Sequence, residues 1–189
     1  MTLAKNQPIL LKISYIKTMK KFIIAICCII IVGSFNLASF AESFDDVNEM
    51  NTTTYERTSI EGLKNLGVVG GYSDGTFRPN DPINRAEFLK IAMEAWGDYE
   101  ASGENCFKDV KDGWFAPYVC KAVDLGIVNG YKDGTFKPEQ NITFAEASKI
   151  LVNTFGLFAD SKYTDTWFEK YVVALEDQKA IPDGVTSFD

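Results

Sequence analysis

Apolar side chains recur along this chain at helical spacing, in short stretches that end in glycine-rich polar turns. Phe115, Val119, Ala122 and Val123 form one such stripe, with Asp112 placed to cap the helix and Pro117 in its opening turn, where a missing N–H is tolerated. Gly126 supplies a left-handed stop after Leu125. The stretch Gly130-Tyr131-Lys132-Asp133-Gly134-Thr135-Phe136 then predicts a tight turn, because Asp-Gly favours a positive φ, and Pro138 stiffens its exit. A second helix opens at Thr143-Phe144-Ala145-Glu146, a capping box in which the threonine oxygen accepts the N3 amide and the glutamate accepts the cap amide. Ala147, Ile150, Leu151 and Thr154 lie along one face behind it. Asn84-Arg85-Ala86-Glu87 opens an equivalent helix whose face is Phe88, Ile91, Ala92 and Ala95. The pattern predicts an all-α fold of helix–loop–helix units that pack through their second helices.

These units repeat. Leu66–Gly97 and Leu125–Gly156 align without a gap at an offset of 59, with 16 of 32 positions identical. Each is preceded by Phe-x-Asp-Val, at Phe44–Val47 and Phe107–Val110. A third copy begins at an offset of 53, where Trp167-Phe168-Glu169-Lys170-Tyr171-Val172 follows the pattern of Trp114-Phe115-Ala116-Pro117-Tyr118-Val119. Expected boundaries are 44–97 for copy one, 106–156 for copy two and 163–189 for a partial third copy cut short at Asp189. One helical hairpin buries too little to stand alone, whereas several copies can share a core.

The N-terminus differs in kind. Residues 1–41 carry five lysines and no acidic side chain, and Met19-Lys20-Lys21 precedes an unbroken apolar run, Phe22–Val32, closed by Ala38-Ser39-Phe40-Ala41. This predicts a secretory signal peptide over 19–41, with residues 1–18 a mis-assigned gene start. The run of 11 is short of the roughly 20 residues a spanning helix needs, so membrane association is confined to an uncleaved signal. Without residues 1–41 the chain keeps 14 basic against 26 acidic groups, a net −12, which repels phosphate polymers and excludes nucleic acid as a partner. The complete absence of histidine removes the commonest general base, the imidazole metal ligand and every His-dependent triad. Cys27 and Cys28 leave with the signal, and Cys106 and Cys120 then form either a disulfide, as an exported chain favours, or two buried thiols.

Phe-x-Asp-Val, an aromatic-led helix, Leu-Gly-Ile-Val-x-Gly-Tyr-x-Asp-Gly-Thr-Phe-x-Pro and a helix starting near Thr-Arg-Ala-Glu together resemble the S-layer homology (SLH) repeat over residues 44–189. The resemblance implies a pseudo-threefold helical bundle. It also implies grooves between neighbouring copies that hold secondary cell-wall polysaccharide, often pyruvylated, or a peptidoglycan-linked glycan, without covalent attachment or cofactor. Carried over position by position, it gives Arg85 as the contact to an acidic sugar. Gly71, Asp74, Gly75 and Thr76 line the groove in copy one, and Gly130, Asp133, Gly134 and Thr135 in copy two. Phe144 stands where copy two would carry its arginine.

Each residue also has a plainer role open to it. Arg85 can be solvated at a helix N-terminus, Glu87 and Glu146 can act only as caps, and Asp74 and Asp133 can act only as turn formers. Their Asp-Gly-Thr loops offer too few oxygens for calcium, so no metal is expected. Trp114 and Trp167 can stack on sugar rings or anchor the core, the second role being preferred. Asp45 and Asp46 show no pattern of a glycosidase pair. The expected function is non-catalytic anchoring of an exported protein to the wall. The alternatives are an envelope assembly protein that uses the copies for protein contacts, or a secreted enzyme with its catalytic domain beyond Asp189.

Overall fold

A computed structural model describes residues 43–160, 162 and 166–181. The expected signal peptide, the early start and the last loop of copy three lie outside the described residues. Among those residues the chain forms five helices and no strand: α1 (Thr54–Asn65), α2 (Arg85–Trp96), α3 (Ala116–Asp124), α4 (Phe144–Thr154) and α5 (Glu169–Asp177). α2 packs on both α3 and α4, and α4 packs on α5.

The helix starts follow their local chemistry. Asn84 and Thr143 each accept the amide of the glutamate three residues on, while Glu87 and Glu146 accept the cap amides in return. Thr53 and Glu56 form a third box at α1, outside the two copies of the capping tetrapeptide. α3 is different, because Asp112 does not cap it. The cap position is Phe115, which makes no side-chain bond, and Pro117 in the first turn removes one donor that would otherwise lack a partner.

Between its two helices each copy makes the same braced turn. Tyr131 N–H donates to the Thr135 carbonyl at 2.8 Å and Gly134 N–H to the Tyr131 carbonyl at 3.0 Å, matched by Tyr72 to Thr76 at 2.8 Å and Gly75 to Tyr72 at 3.1 Å. Asp133 Oδ1 accepts the Thr135 amide and hydroxyl, as Asp74 Oδ1 does from Thr76, so both aspartates are the turn formers expected. The turn exits through Arg78 (φ 60°) and Lys137 (φ 57°), non-glycine residues held left-handed. The Phe-x-Asp-Val aspartates lock this strained step. Asp109 accepts the amides of Phe136 and Lys137, both at 2.8 Å, and Asp46 those of Phe77 and Arg78 at 2.7 and 2.6 Å. Gly71 (φ 67°) and Gly130 (φ 67°) start the turns, and a Cβ on Gly130 would lie 2.8 Å from the Thr135 carbonyl and against the Phe107 ring.

The main core gathers α2, α3 and the turn of copy two around Leu89, Met93, Val119 and Phe136, all fully buried. The stripes on the second helices are broader than the sequence spacing implied. α2 buries Ala86, Leu89, Ala92 and Met93 while Ala95 is exposed, and α4 buries Ala145, Ser148, Ile150, Val152 and Thr154. Helices contacted from more than one side need more than a single apolar face. The disulfide between Cys106 and Cys120 is formed, with the Cα atoms 5.4 Å apart, and ties the start of copy two to the buried side of α3.

Candidate functional site

Arg85 is the first residue of α2, so it belongs to copy one, yet its side chain lies against copy two. The helix start itself is stitched there. Arg85 N–H donates to the Gln140 carbonyl at 2.9 Å and Ala86 N–H to the Pro138 carbonyl at 3.0 Å, while Ile142 N–H returns a bond to the Ile83 carbonyl at 3.1 Å. The amides at the open end of α2 are therefore satisfied by the exit of the second copy's turn.

This junction forms one wall of a groove of about 300 Å³. Arg85 enters from α2, Gly130 and Tyr131 from the turn of copy two, Glu146 and Lys149 from α4, and Trp167 from the approach to α5. Ile127, Val128 and Ile150 supply its apolar floor. The guanidinium belongs to a side chain of a residue only 8% exposed, lies 4.7 Å from the centre of the Phe136 ring and 5.2 Å from that of Tyr131, and pairs with Glu146 Oε1 at 3.5 Å. Its Nε is buried without a hydrogen-bond partner. An arginine in water would not leave a donor in that state, so the solvated role for Arg85 does not hold.

Glu146 serves two clients. Oε2 accepts the Thr143 cap amide at 3.2 Å, while Oε1 accepts the Tyr131 hydroxyl and pairs electrostatically with Arg85. Burial, followed by the bond to Glu146, pushes the Tyr131 phenol up to about 12, so it remains a neutral donor at physiological pH. Lys149 lies 6.0 Å from the Trp167 ring centre and 5.9 Å from that of Tyr171, and Trp167 stays 56% exposed at the groove mouth. A buried guanidinium with a spare donor, an ammonium and an open indole surface can bind a ring that carries a negative charge.

The expected residues separate into two places. Gly71, Asp74, Gly75 and Thr76 sit together in the turn of copy one, apart from Arg85. Gly130 lines the groove, while Asp133, Gly134 and Thr135 continue the same turn outside its lining. Trp114 is 51% exposed, so it is not a core anchor, and it lies beneath Lys90 at 5.8 Å as Trp167 lies beneath Lys149. Trp167 likewise remains outside the core. Asp45 and Asp46 form no catalytic pair: desolvation pushes the Asp46 carboxyl up, but the amides of Phe77, Arg78 and its own backbone outweigh it and hold the group low. Tyr131, Glu146 and Lys149 are groove residues that sequence reasoning missed. Their one visible signal was that each recurs, as Tyr72, Glu87 and Lys90, at the 59-residue offset.

Tandem helix–turn–helix copies that share a groove at their junction define a repeat binding module. The model of the S-layer homology domain matches residues 43–89 and 107–148. The surface-layer 125 kDa protein of Lysinibacillus sphaericus is 33% identical over 141 residues, 70% of this chain and 12% of that protein. The middle cell wall protein of Brevibacillus brevis is 36% identical over 103 residues, 52% of this chain and 10% of its own length. The cellulosome-anchoring protein of Acetivibrio thermocellus is 30% identical over 114 residues, 58% of this chain and 25% of its own. The chain thus spans a quarter or less of the length of these relatives. It carries two S-layer homology domains. It is accordingly an exported cell-surface protein, and the general role of these domains is non-catalytic anchoring to the cell wall.

Proposed function

We propose that the groove built on copy two, with Arg85 from copy one and Trp167 from copy three, holds an acidic sugar of a secondary cell-wall polysaccharide and so anchors the exported chain without covalent attachment. The observation that carries this is Arg85, a buried guanidinium held over aromatic rings with Nε unpartnered, in a groove it shares with Lys149 and an open indole. A chain with 26 acidic groups repels an anionic polymer in general, so capture depends on this local pair of cations. A carboxylate, such as that of a pyruvyl ketal, offers the planar pair of acceptors that a guanidinium edge fits. Copy two has Phe144 at the matching position, so this reading assigns one arginine-bearing groove to the chain.

The test is retention on purified wall sacculi, with and without the secondary polymer. The wild-type protein is expected to bind intact sacculi, and Arg85→Ala to bind at least about tenfold more weakly, the value of a hydrogen bond to a charged group. Equal retention on stripped sacculi would reassign the ligand to a peptidoglycan-linked glycan. Retention unchanged by Arg85→Ala would overturn the groove mechanism.

A further inference from the structure

Copies one and two carry the same capping glutamate, but only one of them faces an arginine. Glu87 Oε2 accepts the Asn84 amide at 3.1 Å, and among the described residues Glu87 makes no ion pair. Glu146 Oε2 closes the equivalent box, and its second oxygen reaches Arg85 of the preceding copy and the Tyr131 hydroxyl. The carboxylate is half of a rigid element, because the capping box fixes where α4 begins and therefore where Oε1 points.

We propose that Glu146 is the positioning residue of the groove, using the oxygen that the cap does not occupy to hold the Arg85 guanidinium in place at the groove wall. The proposal rests on the wall-binding reading above. With Nη1 drawn to Glu146 and the guanidinium set against Phe136 and Tyr131, its rotation is blocked on two sides. Nε is then the donor left over, buried and without a partner. A pre-oriented fork loses less side-chain freedom on binding than a mobile one. The same contact places a negative charge beside the guanidinium.

Glu146→Gln tests this in the full chain, because glutamine also completes a capping box but carries no charge for Arg85. Three readouts apply: retention on intact sacculi, thermal stability, and the ¹⁵N–¹H signal of the Arg85 Nε group, assigned by its loss in Arg85→Ala. Glu146→Gln is expected to keep a melting temperature close to that of the control Glu87→Gln. It is also expected to move or broaden the Arg85 Nε signal and to weaken retention about tenfold, while Glu87→Gln leaves both signal and retention as in the wild type. Glu146→Asp keeps the charge but is one methylene too short to serve cap and guanidinium together, and is expected to change the signal and retention in the same direction. Wild-type signal and retention in both Glu146 variants would overturn the proposal. If the wild type is not retained, or Arg85→Ala is retained equally, the wall-binding reading fails. The Nε signal then still decides whether Glu146 positions the arginine.

Discussion

Gly130→Ala isolates the geometry of the turn, because the added methyl meets two separate penalties. The residue sits at φ 67°, where a non-glycine residue costs about 1–2 kcal/mol. The new Cβ would also lie 2.8 Å from the Thr135 carbonyl and against the ring of Phe107. That ring stacks at 5.8 Å on Phe136, which is fully buried, so it has nowhere to retreat, and overpacking of this kind costs a further ~1–3 kcal/mol. Together these predict a loss of about 2–5 kcal/mol, a large share of the ~5–15 kcal/mol typical of a folded domain. At ~3 °C per kcal/mol for a domain of this size, the melting temperature should fall by about 6–15 °C. Gly126 is the internal control, since it has nearly the same φ, 72°, but an added methyl there would meet no atom within 4 Å. Gly126→Ala should therefore show only the backbone penalty, about 3–6 °C. The assay is thermal unfolding followed by circular dichroism with the disulfide intact. Equal losses in the two variants would show that the close approach of Phe107 and Thr135 has no energetic weight.

Acid should destabilise the turns. The Thr76 hydroxyl first, and then Arg78, hold the Asp74 carboxyl at about 2, below its ordinary 3.8, and Asp133 and Asp46 are also held low. A depressed folded-state value stabilises the fold fully above pH ~4 and loses that contribution as pH falls toward ~2. Melting temperature measured between pH 5 and 2 should drop across that window, less steeply in Asp74→Asn, and a rise on acidification would contradict the assignment. Reduction of Cys106–Cys120, a separation of 14 residues, should cost about 3 kcal/mol, or roughly 6–12 °C, in a melt with and without a phosphine reductant. A change below about 1 kcal/mol would show that the start of copy two is held in place without it.

Local chemistry was legible in the sequence wherever one segment determines it. The boxes at Asn84 and Thr143, the stop at Gly126, the Asp-Gly turns and the Cys106–Cys120 pair all depend on residues close in the chain or on compartment. Asp112 misled because an acceptor near a helix start is only an opportunity, and here the chain enters α3 through Phe115 and Pro117 instead. The groove was harder to see. Motif order pairs Arg85 with Gly71–Thr76 of its own copy, whereas the bonds from Arg85 and Ala86 to Gln140 and Pro138 seat it on the next. Glu146 looked like a cap and is one, but its second oxygen has no sequence signature. The exposure of Trp114 and Trp167 follows from their place ahead of a first helix, at the open edge of the junction rather than within it.

The seat of Arg85 has a genetic consequence. The groove does not coincide with any one copy of the sequence repeat, because it draws on positions from 85 to 167 and so takes residues from three successive copies. Recombination that joins unrelated copies at their boundary would preserve every helix, turn and cap, yet bring together an arginine and a glutamate selected in different partners. Shuffling whole copies can therefore remake the groove without altering a single residue within any of them.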